Sequence, residues 1–135
     1  MNQLKNLKQI NLSKNSLRQI PKSLCELKQT DHIDLSTNKI DKIDDYIGES
    51  SCIELNLNEN QIRVISANIA KCARLKVLRL EQNVLEISAI PVPLLAESNV
   101  SLIAYEGNLF NNKQFEQLQG YDKVTFLLFY LIFPP

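Results

Sequence analysis

The 135-residue chain has no tryptophan, one histidine, one methionine and three glycines. So few glycines leave no Gly-rich loop or Walker pattern to cradle a phosphate. The three cysteines, Cys25, Cys52 and Cys72, are odd in number and lack C-x-x-C spacing, which argues against a disulfide framework and a zinc site. They are expected as buried apolar residues of the core. Charge of one sign is also lacking: 15 basic residues balance 15 acidic ones, so no chain-wide basic field exists to hold a nucleic acid. The opening Met1-Asn2-Gln3-Leu4-Lys5 has no basic-then-apolar signal pattern, so a cytoplasmic protein is expected. The apolar share of 44% suits a single soluble domain.

Chemistry-bearing constellations are equally scarce. His32 has Asp34 two residues on, a pairing that suits general-base work, but no Ser or Cys nucleophile is positioned with it. An exposed surface pair is the expectation, and no catalytic residue is assigned. Asp41, Asp44 and Asp45 cluster, yet without the Gly and terminal Glu of a calcium loop. No metal site and no cofactor are expected. The Asn-x-Ser sequons at Asn11 and Asn99 are read as chance, the first lying in an expected strand.

What the chain has is a repeat. Five frames read apolar, any, apolar, any, any, Asn: Ile10 to Asn15, Ile33 to Asn38, Leu55 to Asn60, Leu78 to Asn83 and Ile103 to Asn108. Their asparagines lie 23, 22, 23 and 25 residues apart. A period in the low twenties with L-x-L-x-x-N marks a leucine-rich repeat. Within each frame the alternation has period two, so Ile10 and Leu12 point inward while Gln9, Asn11 and Ser13 point out. One such strand buries too little apolar surface alone, and stacked copies share a core. The expected fold is α/β: a leucine-rich repeat solenoid, a horseshoe with parallel strands on its concave face.

Each asparagine follows a strand, where its amide can both donate to and accept from turn backbone. A buried ladder of Asn15, Asn38, Asn60, Asn83 and Asn108 is expected from the likeness to such proteins. The return limbs carry Leu17, Ile20, Pro21 and Leu24, then Ile40, Ile43 and Ile47, then Ile62, Ile65 and Ile69. Spacings of three and four predict irregular helical or 3₁₀ turns. The fourth return is longer and holds Pro91 and Pro93. The expected organisation is repeats over residues 1–110 and a capping helix over 111–123. That helix starts near Asn112 on an asparagine cap, has Glu116 in its early turns and ends at Gly120.

The outward strand positions form the candidate partner-binding face: Asn11, His32, Asp34, Glu54, Asn56, Val77, Arg79, Glu81 and Leu102. Its character is polar and mildly acidic. Interfaces need buried aromatic or Arg anchors, and Arg79, with Val77 and Leu102 nearby, is the one offered.

Three stretches go beyond the generic repeat: Ile53-Glu54-Leu55-Asn56-Leu57-Asn58, Leu75-Lys76-Val77-Leu78-Arg79-Leu80-Glu81, and Glu106-Gly107-Asn108-Leu109-Phe110 with Gly120-Tyr121-Asp122-Lys123. Together they resemble the family of leucine-rich repeat-containing protein 57 over about residues 1 to 123. The resemblance implies a cytoplasmic repeat protein, membrane-associated in some members, with no catalytic residues to carry over. Two features depart from it. The family often opens Met-Gly-Asn, suited to myristoylation, where this chain has Met1-Asn2, and an N-terminal cap is expected to be missing. The tail Val124 to Phe133 is apolar where the family has a basic helix; ten residues span about 15 Å as a helix, against a hydrocarbon core of about 30 Å. No transmembrane span is therefore expected; nonspecific stickiness of this uncharged, β-prone run, or packing back over the capping helix, is favoured over weak membrane association through Val124–Phe133 as a reading of the tail. Translated intron is another, since Lys123-Val124-Thr125 can be encoded across a splice donor.

From sequence, the leading function is a non-enzymatic, intracellular protein-protein interaction module of unknown partner, with no nucleic acid. The alternatives are a truncated or mis-spliced product without independent function and a peripheral membrane-associated scaffold.

Overall fold

The computed structural model describes residues 7–118, 120 and 121. The apolar run Val124–Phe133 and the last residues assigned to the cap lie outside them. In chain order the elements are β1 (Gln9–Asn11), α1 (Lys22–Cys25), β2 (His32–Asp34), β3 (Lys42–Ile43), β4 (Glu54–Asn56), β5 (Val64–Ile65), β6 (Val77–Arg79), α2 (Val92–Ala96), β7 (Leu102–Ala104) and α3 (Asn112–Glu116). Three 3₁₀ turns, Asp45–Glu49, Ala67–Lys71 and Ile87–Ala89, complete the return limbs.

The sheet has the order β1-β2-β4-β6-β7, all parallel. Its register puts Ile10, Ile33, Leu55, Leu78 and Ile103 in one row. Within that row Ile33, Leu55, Leu78 and Ile103 are buried. Leu35, Leu57 and Leu80 form a second buried row. The same backbone bond recurs at the end of each strand pair: Leu12, Leu35, Leu57 and Leu80 donate their N–H to Asp34, Asn56, Arg79 and Ala104 carbonyls at 2.7–2.8 Å. Apolar side chains of similar size thus stack in line because the backbone repeats. On the return side Ile40, Ile62 and Leu85 are fully enclosed, with Ile43, Ile65, Ile47 and Ile69 beside them. A second, two-stranded pair, β3 with β5, lies on that side. Two residues give no readable alternation, so it was not visible in the sequence.

The asparagines bind one coil to the next. Asn60 Nδ2 donates to Leu57 O and Asn58 O of its own coil and to Leu35 O of the preceding one. Its Oδ1 accepts from Ile40 N at 3.0 Å. Asn38 repeats this with Leu12 O, Leu35 O, Ser36 O and Leu17 N, and Asn83 with Leu57 O, Leu80 O, Glu81 O and Ile62 N. Both are buried, like Asn60. Asn108 bonds Leu80 O, Tyr105 O and Leu85 N and is half-buried. Asn15 departs from the expected burial: it is exposed and donates only to Leu12 O and Ser13 O of its own coil. It belongs to the first coil among the described residues, so no preceding coil offers it partners there.

The residue before each of the five asparagines has a left-handed backbone: Lys14, Thr37, Glu59 and Gln82 at φ between 54° and 58°, and Gly107 at 83°. This conformation turns the amide inward. Four of the five are side chains that disfavour it, and Thr37, being β-branched, disfavours it most.

The fourth return forms the 3₁₀ turn and then α2, with Pro91 preceding the first helical residue and Pro93 within the first turn. Proline is tolerated there because those N–H groups have no intrahelical acceptor. In α3 the cap is Asn111, in a reciprocal box with Gln114: each side chain accepts from the other's backbone N–H at 2.9 Å. The helix ends at Glu116, not Gly120, so Glu116 sits in its last turn and not early. The chain continues in tight turns, with Leu118 N on Phe115 O and Tyr121 N on Leu118 O. Phe115 is fully buried, stacked on Tyr105 at 4.1 Å and edge-on to Tyr121 at 6.0 Å. Gly120 has φ 89°, and a Cβ there would lie 2.7 Å from Leu95 and Ala96 backbone atoms, so only glycine lets this segment seat on α2.

Candidate functional site

The register fixes two columns on the concave sheet. One runs Gln9, His32, Glu54, Val77, Leu102; the other runs Asn11, Asp34, Asn56, Arg79, Ala104. The nine candidate residues therefore share one face, with Glu81 just beyond β6. His32 and Asn11 are exposed; Asp34, Glu54, Asn56, Val77, Arg79, Glu81 and Leu102 are half-buried. A shallow depression of about 450 Å³ opens over β1, β2 and β4, walled by Gln9, Asn11, His32, Asp34, Glu54 and Asn56. Its ionisable side chains are two carboxylates and one imidazole.

Polar bonds hold this face in shape. Arg79 Nε lies 3.3 Å from Glu54 Oε2, across the β4–β6 seam, with both side chains about one third exposed (35% and 32%). Asn58 donates Nδ2 to Glu81 Oε1 at 3.2 Å and accepts from Glu81 N at 2.8 Å. Thr37 Oγ1 donates to Glu59 at 3.1 Å. At the strand starts Arg74 pairs with Asp31 at 2.6 Å, and that hydrogen bond holds the Asp31 carboxyl below its ordinary range.

Three candidates have a second task. Asn11, Asp34 and Asn56 each accept, through Oδ1, the N–H two residues on, from Ser13, Ser36 and Asn58 at 2.9–3.0 Å. These Asx turns end the strands and start the left-handed bend. One oxygen of each is committed to the backbone, so these positions are scaffold as well as surface. The asparagine or aspartate four residues before each ladder asparagine was the signal in the sequence; Arg79 and Ala104 replace it in the last two coils.

No hydrogen bond joins His32 to Asp34 among the described residues. Cys25, Cys52 and Cys72 are buried and unbridged. Burial pushes the Cys25 and Cys72 thiols up to about 12 and raises that of Cys52, so all three are protonated and poor nucleophiles at neutral pH. Among the described residues no group of three or more His, Cys, Asp or Glu could hold a metal ion. Asp44 instead pairs with Lys42 at 3.4 Å, and Asp45 accepts from Ser66 Oγ at 2.6 Å. No helix among the described residues is long and apolar enough to cross a membrane.

Parallel strands in a five-coil stack, a polar concave sheet and an asparagine at each bend define a leucine-rich repeat solenoid. A family model described as leucine rich repeat matches residues 1–40. Among solved structures the chain is similar to a leucine-rich repeat protein of Leptospira interrogans, with a TM-score of 0.77 and 24% identity over 88% of this chain. It is also similar to an internalin of Listeria monocytogenes, with a TM-score of 0.68 and 18% identity over 87% of this chain. The matches span 30% and 34% of those two longer chains, and the likeness is one of fold.

Proposed function

We propose that the chain is a non-enzymatic, cytoplasmic protein-interaction module that binds a protein partner on its concave sheet. The observation that carries this is the depression over β1, β2 and β4, where side chains of three rigidly registered strands converge. A scaffold whose coils are bonded to each other presents such side chains with little loss of conformational freedom on binding. Val77 and Leu102 supply adjoining apolar contact, and Arg79 is the anchor held by Glu54. The cytoplasmic assignment also draws on the resemblance to the leucine-rich repeat-containing protein 57 family.

Arg79→Glu tests this reading. It breaks the pair with Glu54 and sets two carboxylates together at the middle of the sheet, while leaving the core rows untouched. Partners are first identified by proximity labelling in cells. Affinity for them, measured with purified chains, then falls at least about tenfold, in line with the cost of misplacing an interface charge, while the circular dichroism spectrum stays the same. Unchanged affinity refutes the concave-face assignment.

A further inference from the structure

A different flank of the solenoid carries a charge pattern that the concave reading does not use. Three residues after the first four ladder asparagines stand Arg18, Asp41, Arg63 and Glu86; the fifth such position is the neutral Asn111, which caps α3. All four are exposed. The coils stack here in register, with Arg63 N bonded to Asp41 O at 2.9 Å and Lys39 N, Gln61 N and Val84 N bonded to Leu17, Ile40 and Ile62 carbonyls. The four side chains therefore form a column in which charge alternates plus, minus, plus, minus from one coil to the next. Among the described residues the ion pairs are Lys42–Asp44, Arg74–Asp31 and Arg79–Glu54, so none of the four forms an ion pair with another described residue.

An even-numbered alternating column is complementary to itself when reversed. A two-fold axis between the second and third coils sets Arg18 opposite Glu86 of a second copy, Asp41 opposite Arg63, and each pair again by symmetry. We propose that this flank is a homodimer surface, with a second copy of the chain as its occupant and these four residues setting the antiparallel register. This is the self-complementary patch that an isologous interface requires. Apolar surface lies where the axis falls: Val64 is 57% exposed and neighbours Lys42, and together with Asp41, Gln61 and Arg63 they wall a recess of about 360 Å³. The symmetry sets Val64 against the aliphatic stem of Lys42 from the second copy. Beside Glu86 a larger recess of about 500 Å³, lined by Arg63, Val84, Ala89 and Leu109, is open to receive Arg18 of that copy. Concave and dimer surfaces are separate, so each can fail without the other.

Sedimentation equilibrium of the full chain at low salt tests the proposal. The wild type dimerises, and the association weakens as salt screens the column. Arg63→Glu places like charges opposite each other twice and raises the dimer dissociation constant at least about tenfold, following the cost of like-charge contact across an interface. Combining it with Asp41→Arg gives the order plus, plus, minus, minus, again complementary when reversed, and restores the dimer. Arg79→Glu, on the concave face, leaves it unchanged. A monomeric wild type at low salt, an association indifferent to Arg63→Glu, or a double variant that stays monomeric overturns the proposal.

Discussion

Replacing Asn60 with alanine removes four hydrogen bonds at a site where water cannot replace them. Asn60 is 7% exposed. Its amide serves Leu35 O, Leu57 O and Asn58 O, and it accepts from Ile40 N. Ile40 is fully enclosed, so its N–H is left buried without an acceptor, at a cost of about 1–3 kcal/mol. The abandoned carbonyls retain a second lone pair and lose less, bringing the total to about 3–4 kcal/mol. Asn15→Ala is the internal control. The same residue type at the same bend makes two bonds, to Leu12 O and Ser13 O, in an exposed setting where water takes over. Its loss costs about 1 kcal/mol or less. Urea unfolding followed by circular dichroism is the assay, since the chain has no tryptophan to report by fluorescence. With a urea slope of about 1–3 kcal/mol/M, Asn60→Ala lowers the midpoint by about 0.7 M or more relative to Asn15→Ala. Equal midpoints for the two variants refute the claim that the buried amides hold the coils together.

Two further outcomes follow from the backbone and the thiols. Thr37→Gly relieves a β-branched residue at φ 54°, strain worth about 1–3 kcal/mol, partly offset by the greater freedom of glycine in the unfolded chain; urea unfolding shows a net gain of about 1 kcal/mol, and a loss of stability counters the strain assignment. Cys25 and Cys72 have folded-state values raised from 9.0 to about 12 by burial, so the folded chain binds more protons than the unfolded chain between those limits. Stability contributed by the neutral thiols is complete below pH 9.0 and is lost as pH rises toward about 12. Urea midpoints therefore fall from about pH 8 to about pH 11, and a flat profile contradicts the burial of those groups.

The strands and their register were legible because period-two alternation and the asparagine recur in every coil, so five weak signals reinforce one another. Cys52 and Cys72 read as core because they replace residues facing the interior, and the structure buries both. The left-handed residue at each bend was not legible. Glycine announces that conformation only at Gly107; Lys14, Thr37, Glu59 and Gln82 adopt it because the ladder asparagine must turn inward. Asn11, Asp34 and Asn56 read as outward binding positions because alternation gives the direction of a side chain and not what its oxygen bonds. The flank column was hidden for another reason: Arg18, Asp41, Arg63 and Glu86 are far apart in sequence and look like ordinary surface charge until coil stacking sets them in a row.

Hydrogen exchange at the Ile40 and Ile62 amides tests the central claim most directly, because each donates to the side chain of the next coil's asparagine, Asn60 or Asn83, at 3.0 Å. The predicted result is exchange as slow as at the Leu35 and Leu57 strand amides, with Asn60→Ala accelerating Ile40 more than Ile62, which keeps its own acceptor. Exchange of both amides at the rate of an exposed turn would contradict a solenoid tied together coil by coil through buried asparagine.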